Sequence, residues 1–485
     1  MFPSTTRIAS CLRSKVFSVF ILFGILVRAQ SSVNVVVDPQ HPGVEIPADF
    51  VGLSFEMQTV LSDTNGNHFF SPENQHLVAT FKMLGIKSLR VGGNTADRPT
   101  LPVPGTADVD QLFAFAHDAG VKVIYTLRLN HGDPAADAQM VNYILRHYPD
   151  QLDCFAIGNE PNVFSTNFDV YLTAWKRFAA QITAPSNSPD VKFSGPGVSP
   201  GHEKWSAQFA QDLASSKLLK FISQHDYAGG DARKVKDPAA ARDRMLSPAM
   251  EPHYAKFAAN FVPAIISSGL PYRFEEANSF YDGGALDVSD TFASALWALK
   301  YQWWWAQRGM RGINFHTGDK VAARDENKPC RYATFWTVPG GYNIHPIGYA
   351  EKMFALGSHG KIIPASLGQR SDTNLDFSAD AVLGDDGNIY ITLINSSHGD
   401  TATNQLVQIT TTGGDGWHAA EYIGLSTPDG DVSRKTGVTL GGAGITDDAQ
   451  WSGNWEKIAV SEKAHAPVTV PVPAASAVIV KLTPR

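Results

Sequence analysis

Eight times between residues 50 and 356 a short apolar run gives way to a stretch with helical spacing. The runs are Phe50–Glu56, Lys87–Gly93, Lys122–Leu129, Cys154–Glu160, Val191–Gly195, Phe221–Tyr227, Tyr272–Asn278 and Gly312–His316. The helical stretches are Pro72–Leu84, Val109–Ala119, Ala135–His147, Val170–Ile182, Lys204–Ser215, Pro248–Ser267, Asp290–Gln307 and Pro346–Leu356. Near-continuous apolar runs alternating with helices predict a parallel sheet covered on both faces. Eight is the number of strand–helix units that closes such a sheet into a (β/α)₈ barrel. No G-x-G-x-x-G turn follows the first run, so an open dinucleotide-binding sheet is disfavoured.

From Lys361 onward the helical period disappears. Short alternating segments such as Ile389–Ile394, Val468–Val472 and Ala477–Leu482 are separated by Gly- and Asp-rich turns, which predicts an antiparallel β-sandwich over residues 361–485. The barrel is expected over 47–360. The segment 30–46, with its extended Asn34–Val37, precedes it and is expected to add a strand to the sandwich. Residues 1–29 carry Arg7, Arg13 and Lys15, then the apolar run Val16–Val27, then small residues ending at Ala29. This is the pattern of a cleaved signal peptide and predicts a secreted or periplasmic protein. The apolar run is short for a membrane span, and no second one follows.

The 485-residue chain carries a formal charge of −7, and the leader holds four basic residues and no acidic ones, leaving about −11 without it. An acidic surface without a basic cluster disfavours nucleic acid as a partner. Past the leader only Cys154 and Cys330 remain. One reads as a buried strand and the other as a loop, so no disulfide is expected, and neither has a partner at metal-ligand spacing. Neither a metal nor a cofactor is predicted. Asn395-Ser396-Ser397 is a glycosylation sequon. Trp303-Trp304-Trp305 lies in the middle of an outer helix, where packing against the neighbouring domain is expected.

Active sites of (β/α)₈ barrels form at the C-terminal ends of the strands. The residues expected there are Glu56, Arg90, Asn94, Asp97, Arg128, Asn130, His131, Asn159, Glu160, His225, Asp226, Tyr227, Glu275, Glu276, Asn278, Asn314 and His316. No G-x-S-x-G elbow offers a serine nucleophile. Carboxylates at the ends of strands four and seven suit glycoside hydrolysis, in which one protonates the leaving oxygen and the other attacks the anomeric carbon.

Several stretches in this order resemble glycoside hydrolase family 79, the β-glucuronidase and heparanase family. They are Gly52-Leu-Ser-Phe-Glu56, Arg90-Val-Gly-Gly-Asn-Thr-Ala-Asp97, Ile157-Gly-Asn-Glu-Pro-Asn162, Glu276-Ala-Asn-Ser-Phe-Tyr-Asp-Gly-Gly284 and Asn314-Phe-His316. The resemblance implies Glu160 as acid/base and Glu276 as nucleophile of a retaining enzyme, their carboxyl groups about 5–5.5 Å apart. Glu275 is the rival nucleophile; strand parity groups Glu276 with Tyr272 and Phe274, and Glu275 with Arg273. The resemblance further implies that Asn159 bonds the sugar 2-hydroxyl and that Tyr227 holds the nucleophile. Glu56 and Asp97 would accept from other hydroxyls, and Asp97 has helix N-capping as an alternative. His225 and His316 read as supporting or packed histidines.

For the sugar carboxylate the family uses a tyrosine and backbone N–H groups of the turn after the nucleophile, here Tyr281, Gly283 and Gly284. A further family tyrosine lies in the loop after strand eight. In this chain that loop, Thr317–His345, is long; Tyr332 or Tyr342 is available for the role, and Lys320 or Arg324 for a cation in its place. The expected function is therefore a secreted, retaining exo-β-glucuronidase acting on terminal glucuronic acid, with or without a 4-O-methyl group. The alternatives are a β-glycosidase of the same clan acting on a neutral sugar, an endo-acting heparanase-like enzyme and a non-catalytic sugar-binding protein.

Overall fold

The computed structural model describes residues 30–485 apart from 185–186, 189, 322–327, 369–375, 414–415, 462 and 464–465. Residues 1–29, on which the expected signal peptide falls, and Arg324 lie outside the described residues. Eight parallel strands close into a barrel: β1 (Val51–Glu56), β2 (Ser88–Gly92), β3 (Lys122–Leu127), β4 (Leu152–Ile157), β5 (Phe193–Val198), β6 (Leu219–Tyr227), β7 (Tyr272–Asn278) and β8 (Ile313–His316). β8 pairs with β1 in register from Ile313 against Val51, and this pairing closes the ring. The expected (β/α)₈ barrel is present.

Local chemistry explains the alternation. Side chains cap helix starts: Asn74 accepts from Leu77 N, Asn167 from Val170 N, and Asp133 from Ala135 N beside Pro134. Gly85 and Gly120 end the first two helices in the left-handed conformation. The predicted helix Pro248–Ser267 is broken into Met250–Ala259 and Val262–Ser267, because Pro263 suits only the first turn of a helix.

Among the register shifts in the barrel, the one in β7 bears on the site. Between Ser223↔Arg273 and His225↔Glu276, β6 advances two residues while β7 advances three. The same mismatch recurs against β8, from Ile313↔Phe274 to Phe315↔Ala277. β7 thus carries a bulge that resets which way its side chains point.

Helix Phe292–Ala306 is buried nearly throughout. The sequence predicts its tryptophans against the neighbouring domain; the ring contacts they make are with barrel residues. Trp305 stands 4.6 Å from the Phe274 ring on β7, Trp303 packs on Phe354, and Trp304 on Tyr254. Lys300 and Gln307 instead reach the C-terminal sheets, through Ser396 and Asp380.

Past the barrel the chain forms an eight-stranded and a four-stranded sheet. Gln30–Val37 lies in the smaller sheet, parallel to Asn404–Thr411 and antiparallel to Ala365–Leu367. Alternate residues Val33, Val35 and Val37 enter a core shared with Ile391, Val407 and Val480. Asn395 is buried, and its amide donates to Thr403 O and Val472 O. In the folded chain the sequon is therefore inaccessible to glycosylation. Cys154 and Cys330 are both buried and form no disulfide. Among the described residues no helix is long and apolar enough to cross a membrane.

Candidate active site

Glu160 reaches the barrel mouth through an unusual turn. Gly158 has φ +83°, and a Cβ there would lie 2.9 Å from Leu129 Cβ. Glu160 itself has φ 44° and ψ 56°, a costly conformation for a residue with a side chain. Its N–H donates to Gly197 O at 2.9 Å, and Pro161 opens the next turn. Asp97 holds the same corner. Its Oδ2 accepts from Asn159 N at 2.6 Å, and its Oδ1 from Leu129 N and Asn130 N, both at 2.7 Å. Asp97 was expected to take sugar hydroxyls or cap a helix. Instead it is buried, does not line the cavity, and ties three backbone amides of two strand ends together.

The parity argument for Glu276 fails. Phe274, which shares its parity, faces the outer helix, while Arg273 faces the barrel interior, with Nε 2.8 Å from Asn314 Oδ1. The β7 bulge between them and Glu276 re-aims Glu276 into the cavity. No periodicity argument could have found this, since a bulge adds one residue without changing the local pattern.

Four groups converge on Glu276. Arg90 Nη1 donates to Oε2 at 2.8 Å, and Tyr227 Oη donates to Oε1 at 2.8 Å. His225 Nδ1 lies 3.9 Å from Oε2, and His316 Nδ1 lies 4.0 Å from it. Burial by itself would raise the carboxyl's pKa. The charges of His316, His225 and Arg90 and the Tyr227 hydrogen bond outweigh it and hold the group below the usual carboxylate range. The same pairing acts on His316: burial opposes its charge, but Glu276 and Glu56 raise its pKa above the ordinary value.

Arg90 is the supporting residue to which the sequence assigned no role. It is 1 % exposed, and besides Glu276 it donates to Ser54 Oγ at 3.1 Å and, from Nη2, to Asn159 Oδ1 at 2.6 Å. The available signal was an arginine inside the apolar run Leu89-Arg90-Val91, since a buried guanidinium requires partners.

Glu160, Glu276, Glu56, Tyr227, Tyr281 and Gly283 all line one cavity of about 350 Å³. His225 Nδ1 stands 3.1 Å from Glu160 Oε1, so one imidazole bridges the two strand-end carboxylates. Glu56 Oε2 accepts from Thr95 N at 2.9 Å and Thr95 Oγ1 at 2.6 Å, while Oε1 lies 3.6 Å from His316 Nε2. Asn159 stands behind the cavity wall, with its amide nitrogen 3.5 Å from Asn94 Oδ1.

The loop after β8 folds back onto the turn after Glu276. Lys328 Nζ donates to Asp282 Oδ2 at 3.0 Å, Arg331 N donates to Gly283 O at 2.6 Å, and Val321 packs against Gly283. This brings Lys320 and Tyr332 into the cavity lining beside Tyr281. Tyr342 does not join them; its hydroxyl accepts from Asn74 Nδ2 at 2.7 Å on another face. Gly284 also does not line the cavity. A Cβ there would lie 2.8 Å from Tyr332 N, so its lack of a side chain admits the returning loop.

One atom each from Glu160, His225 and Glu276 lie within 4.8 Å of one another, close enough to offer three metal ligands. Sequence spacing could not show this group, because its members come from β6, β7 and the turn after β4. Arg90 already donates to Glu276, and a cation there would face that guanidinium.

A closed (β/α)₈ barrel, a C-terminal β-domain and facing carboxylates at the strand ends are the architecture of the barrel-plus-sandwich glycosidases. Two curated β-glucuronidases are similar to this chain. The one from Neurospora crassa is 26% identical over 191 residues, 35% of this chain and 34% of its own length. The one from Aspergillus niger is 23% identical over 403 residues, 69% of each chain. The match thus spans about a third of the Neurospora enzyme. Among solved structures, a GH51 arabinofuranosidase from Xanthomonas axonopodis pv. citri has a TM-score of 0.68 at 18% identity. A 4-O-α-L-rhamnosyl-β-D-glucuronidase from Fusarium oxysporum has a TM-score of 0.68 at 19% identity. Each alignment covers 93% of this chain and 100% of the other, and these likenesses show the fold. No family model matches the chain.

Proposed function

We propose that the chain is a glycoside hydrolase of the family 79 type, a secreted, retaining exo-β-glucuronidase that removes terminal glucuronic acid. The observation that carries the reading is the pairing of Glu160 with Glu276. An oxygen of each lies within 4.8 Å, and both line one cavity. That approach suits attack by a carboxylate; inverting enzymes need about 6.5–9.5 Å to seat a water between the groups.

In the first step Glu276 attacks the anomeric carbon. Arg90, His225 and His316 keep it ionised for this, and Tyr227 orients it. Glu160, the more exposed carboxyl, donates its proton to the departing oxygen. In the second step the same group, now a base, takes a proton from water, and the hydroxide displaces Glu276 from the sugar. Asn159 is buried beside the cavity wall and bonded to Arg90, and the 2-hydroxyl is assigned to it by the family resemblance. Tyr281, Tyr332, the Gly283 backbone and Lys320 supply hydrogen-bond donors and a cation for the uronate carboxylate. The similarity to two β-glucuronidases supports this substrate class. Secretion rests on the leader in residues 1–29.

The test compares aryl β-glucuronide with aryl β-glucoside and follows the first sugar released by proton NMR. The reading expects faster release from the glucuronide and the β-anomer appearing first. Faster release from the glucoside would overturn the substrate, and an initial α-anomer would overturn the retaining mechanism.

A further inference from the structure

In the C-terminal domain the segment 427–438 leaves its sheet between strands Trp417–Ser426 and Thr439–Leu440 and reaches the barrel. It meets the start of helix Phe292–Ala306. The first N–H groups of a helix have no partner within it, and no side chain caps this one. Two carbonyls of the segment take that role. Phe292 N donates to Arg434 O at 2.7 Å, and Ala293 N donates to Val432 O at 2.8 Å. The other domain thus completes this helix start, which follows directly on the turn after Glu276. No step of the mechanism above uses the contact.

Lys435 carries the contact towards the site. Its Nζ lies 2.5 Å from Asp287 Oδ1 and 3.0 Å from Asp290 Oδ2. Asp290 is 4 % exposed, and its Oδ1 has no hydrogen-bond partner among the described residues. A buried carboxylate so placed depends on the cations at its other oxygen. Two reach it, from different segments. Lys435 comes from the C-terminal domain, and Arg331, with Nη1 at 3.7 Å, comes from the loop after β8. The turn before Asp290 is closed at its base, where Ser279 Oγ donates to Ser289 Oγ at 2.8 Å. Its far side is bonded to the β8 loop, where Arg331 N donates to Gly283 O at 2.6 Å. Asp290 therefore joins three segments, and two of them carry Tyr281, Gly283 and Tyr332 into the cavity. Glu160 and Glu276 are held by a separate set: His225, Arg90 and Tyr227.

From this we infer that Lys435 is a positioning residue for substrate specificity, supplied to the barrel by the C-terminal domain. Through Asp290 and Arg331 it fixes the turn after Glu276 against the loop after β8. Donors from those two segments must meet one planar carboxylate, and a small shift of one segment against the other weakens that fit. The C-terminal domain thereby sets affinity for the uronate and leaves the chemistry to the barrel. The inference rests on the proposed glucuronidase activity for its effect on substrate.

The test uses the full-length enzyme with Lys435→Ala, Lys435→Arg, Asp290→Asn and the double variant Lys435→Ala/Asp290→Asn. On an aryl glucuronide, Lys435→Ala should raise KM about tenfold and leave kcat within about twofold of wild type. Lys435→Arg keeps the charge and should restore KM to within about threefold. The double variant should show no larger a KM than Asp290→Asn alone, because both changes break one link. Asp290→Asn keeps the shape of the side chain and carries the same KM test if Lys435→Ala does not fold. An unchanged KM, a parallel fall in kcat, or additive losses in the double variant overturns the inference. Hydrogen exchange reads the link without substrate: amides of 279–290 and 328–334 should exchange faster in Lys435→Ala, with the barrel strands unchanged. Unchanged exchange in those two segments overturns the inference. A wild type that releases nothing from the aryl glucuronide defeats the glucuronidase reading instead, and the exchange result alone then upholds or overturns the link.

Discussion

Arg90 donates to Glu276 Oε2 at 2.8 Å, and both residues are almost wholly sealed from solvent. A buried guanidinium beside a buried carboxylate keeps that carboxylate charged in a place where water cannot. Arg90 is also bonded to Asn159, so it couples the β4 end to the residue on β7. Replacing Arg90 with Met should lower kcat by about 10²–10³, the size of losing one charged stabilising donor. The sign of its effect on pH follows from the shift. Glu276 has a lowered pKa, so the ionised form persists, with its contribution to stability, well below the ordinary carboxylate range and is lost as pH falls through the lowered value. In Arg90→Met the acidic limb of kcat/KM should move to higher pH. An unmoved limb would mean that Arg90 only packs.

The two carboxylates should separate by leaving group. Glu276→Gln should abolish turnover on every glycoside. Glu160→Gln should lower kcat/KM for poor leaving groups by about 10²–10⁴ and spare kcat/KM for good ones such as nitrophenol, which depart without a proton, while kcat falls on both because the second step loses its base. Rates across a series of aryl glucuronides measure this. A uniform loss of kcat/KM in Glu160→Gln would remove it from the acid role.

Glu275→Gln provides the control. Glu275 lies next to Glu276 yet does not line the cavity. Turnover should stay within about tenfold of wild type, a margin that allows for altered packing at a buried position. Turnover lost in Glu275→Gln but kept in Glu276→Gln would exchange their roles.

Tyr332 tests the returning loop. Tyr332→Phe removes one hydroxyl from the cavity and should cost about 1 kcal/mol, roughly fivefold, in kcat/KM on a glucuronide. The glucoside rate should not change. Equal losses on both sugars would show that the hydroxyl does not read the carboxylate.

Glu351 bears on stability rather than chemistry. It is fully buried, accepts from Thr334 Oγ1 at 2.9 Å, and burial raises its pKa from 4.5 to about 8. A raised carboxyl pKa means that the fold favours the neutral form. The stability this brings is present below the unfolded value and is lost as pH rises towards about 8. Glu351→Gln, which stays neutral, should match the wild type in Tm near pH 4 and exceed it increasingly from pH 6 to 9, a range set by the same shift. Thermal melts across that range check it, and a constant difference would reject the assignment.

Much of this molecule is legible in its order of residues, because apolar period and turn chemistry are local. Eight strand–helix units predict the barrel. The change of period after Lys361 marks the sheet domain, and strand ends bearing Glu160 and Glu276 mark the site. Other features depend on contacts between distant segments, which no local pattern encodes. The β7 bulge turns Glu276 inward against its own parity. Asp97 is drawn to the amides of Leu129, Asn130 and Asn159 instead of to substrate. The β8 loop is clamped by Asp282 and Gly283 so that Tyr332, and not Tyr342, enters the cavity. Arg90 shows the boundary between the two. Its burial was readable from its apolar neighbours, but its partners on β1, β7 and the β4 end were not, since only closure of the barrel brings those strands together.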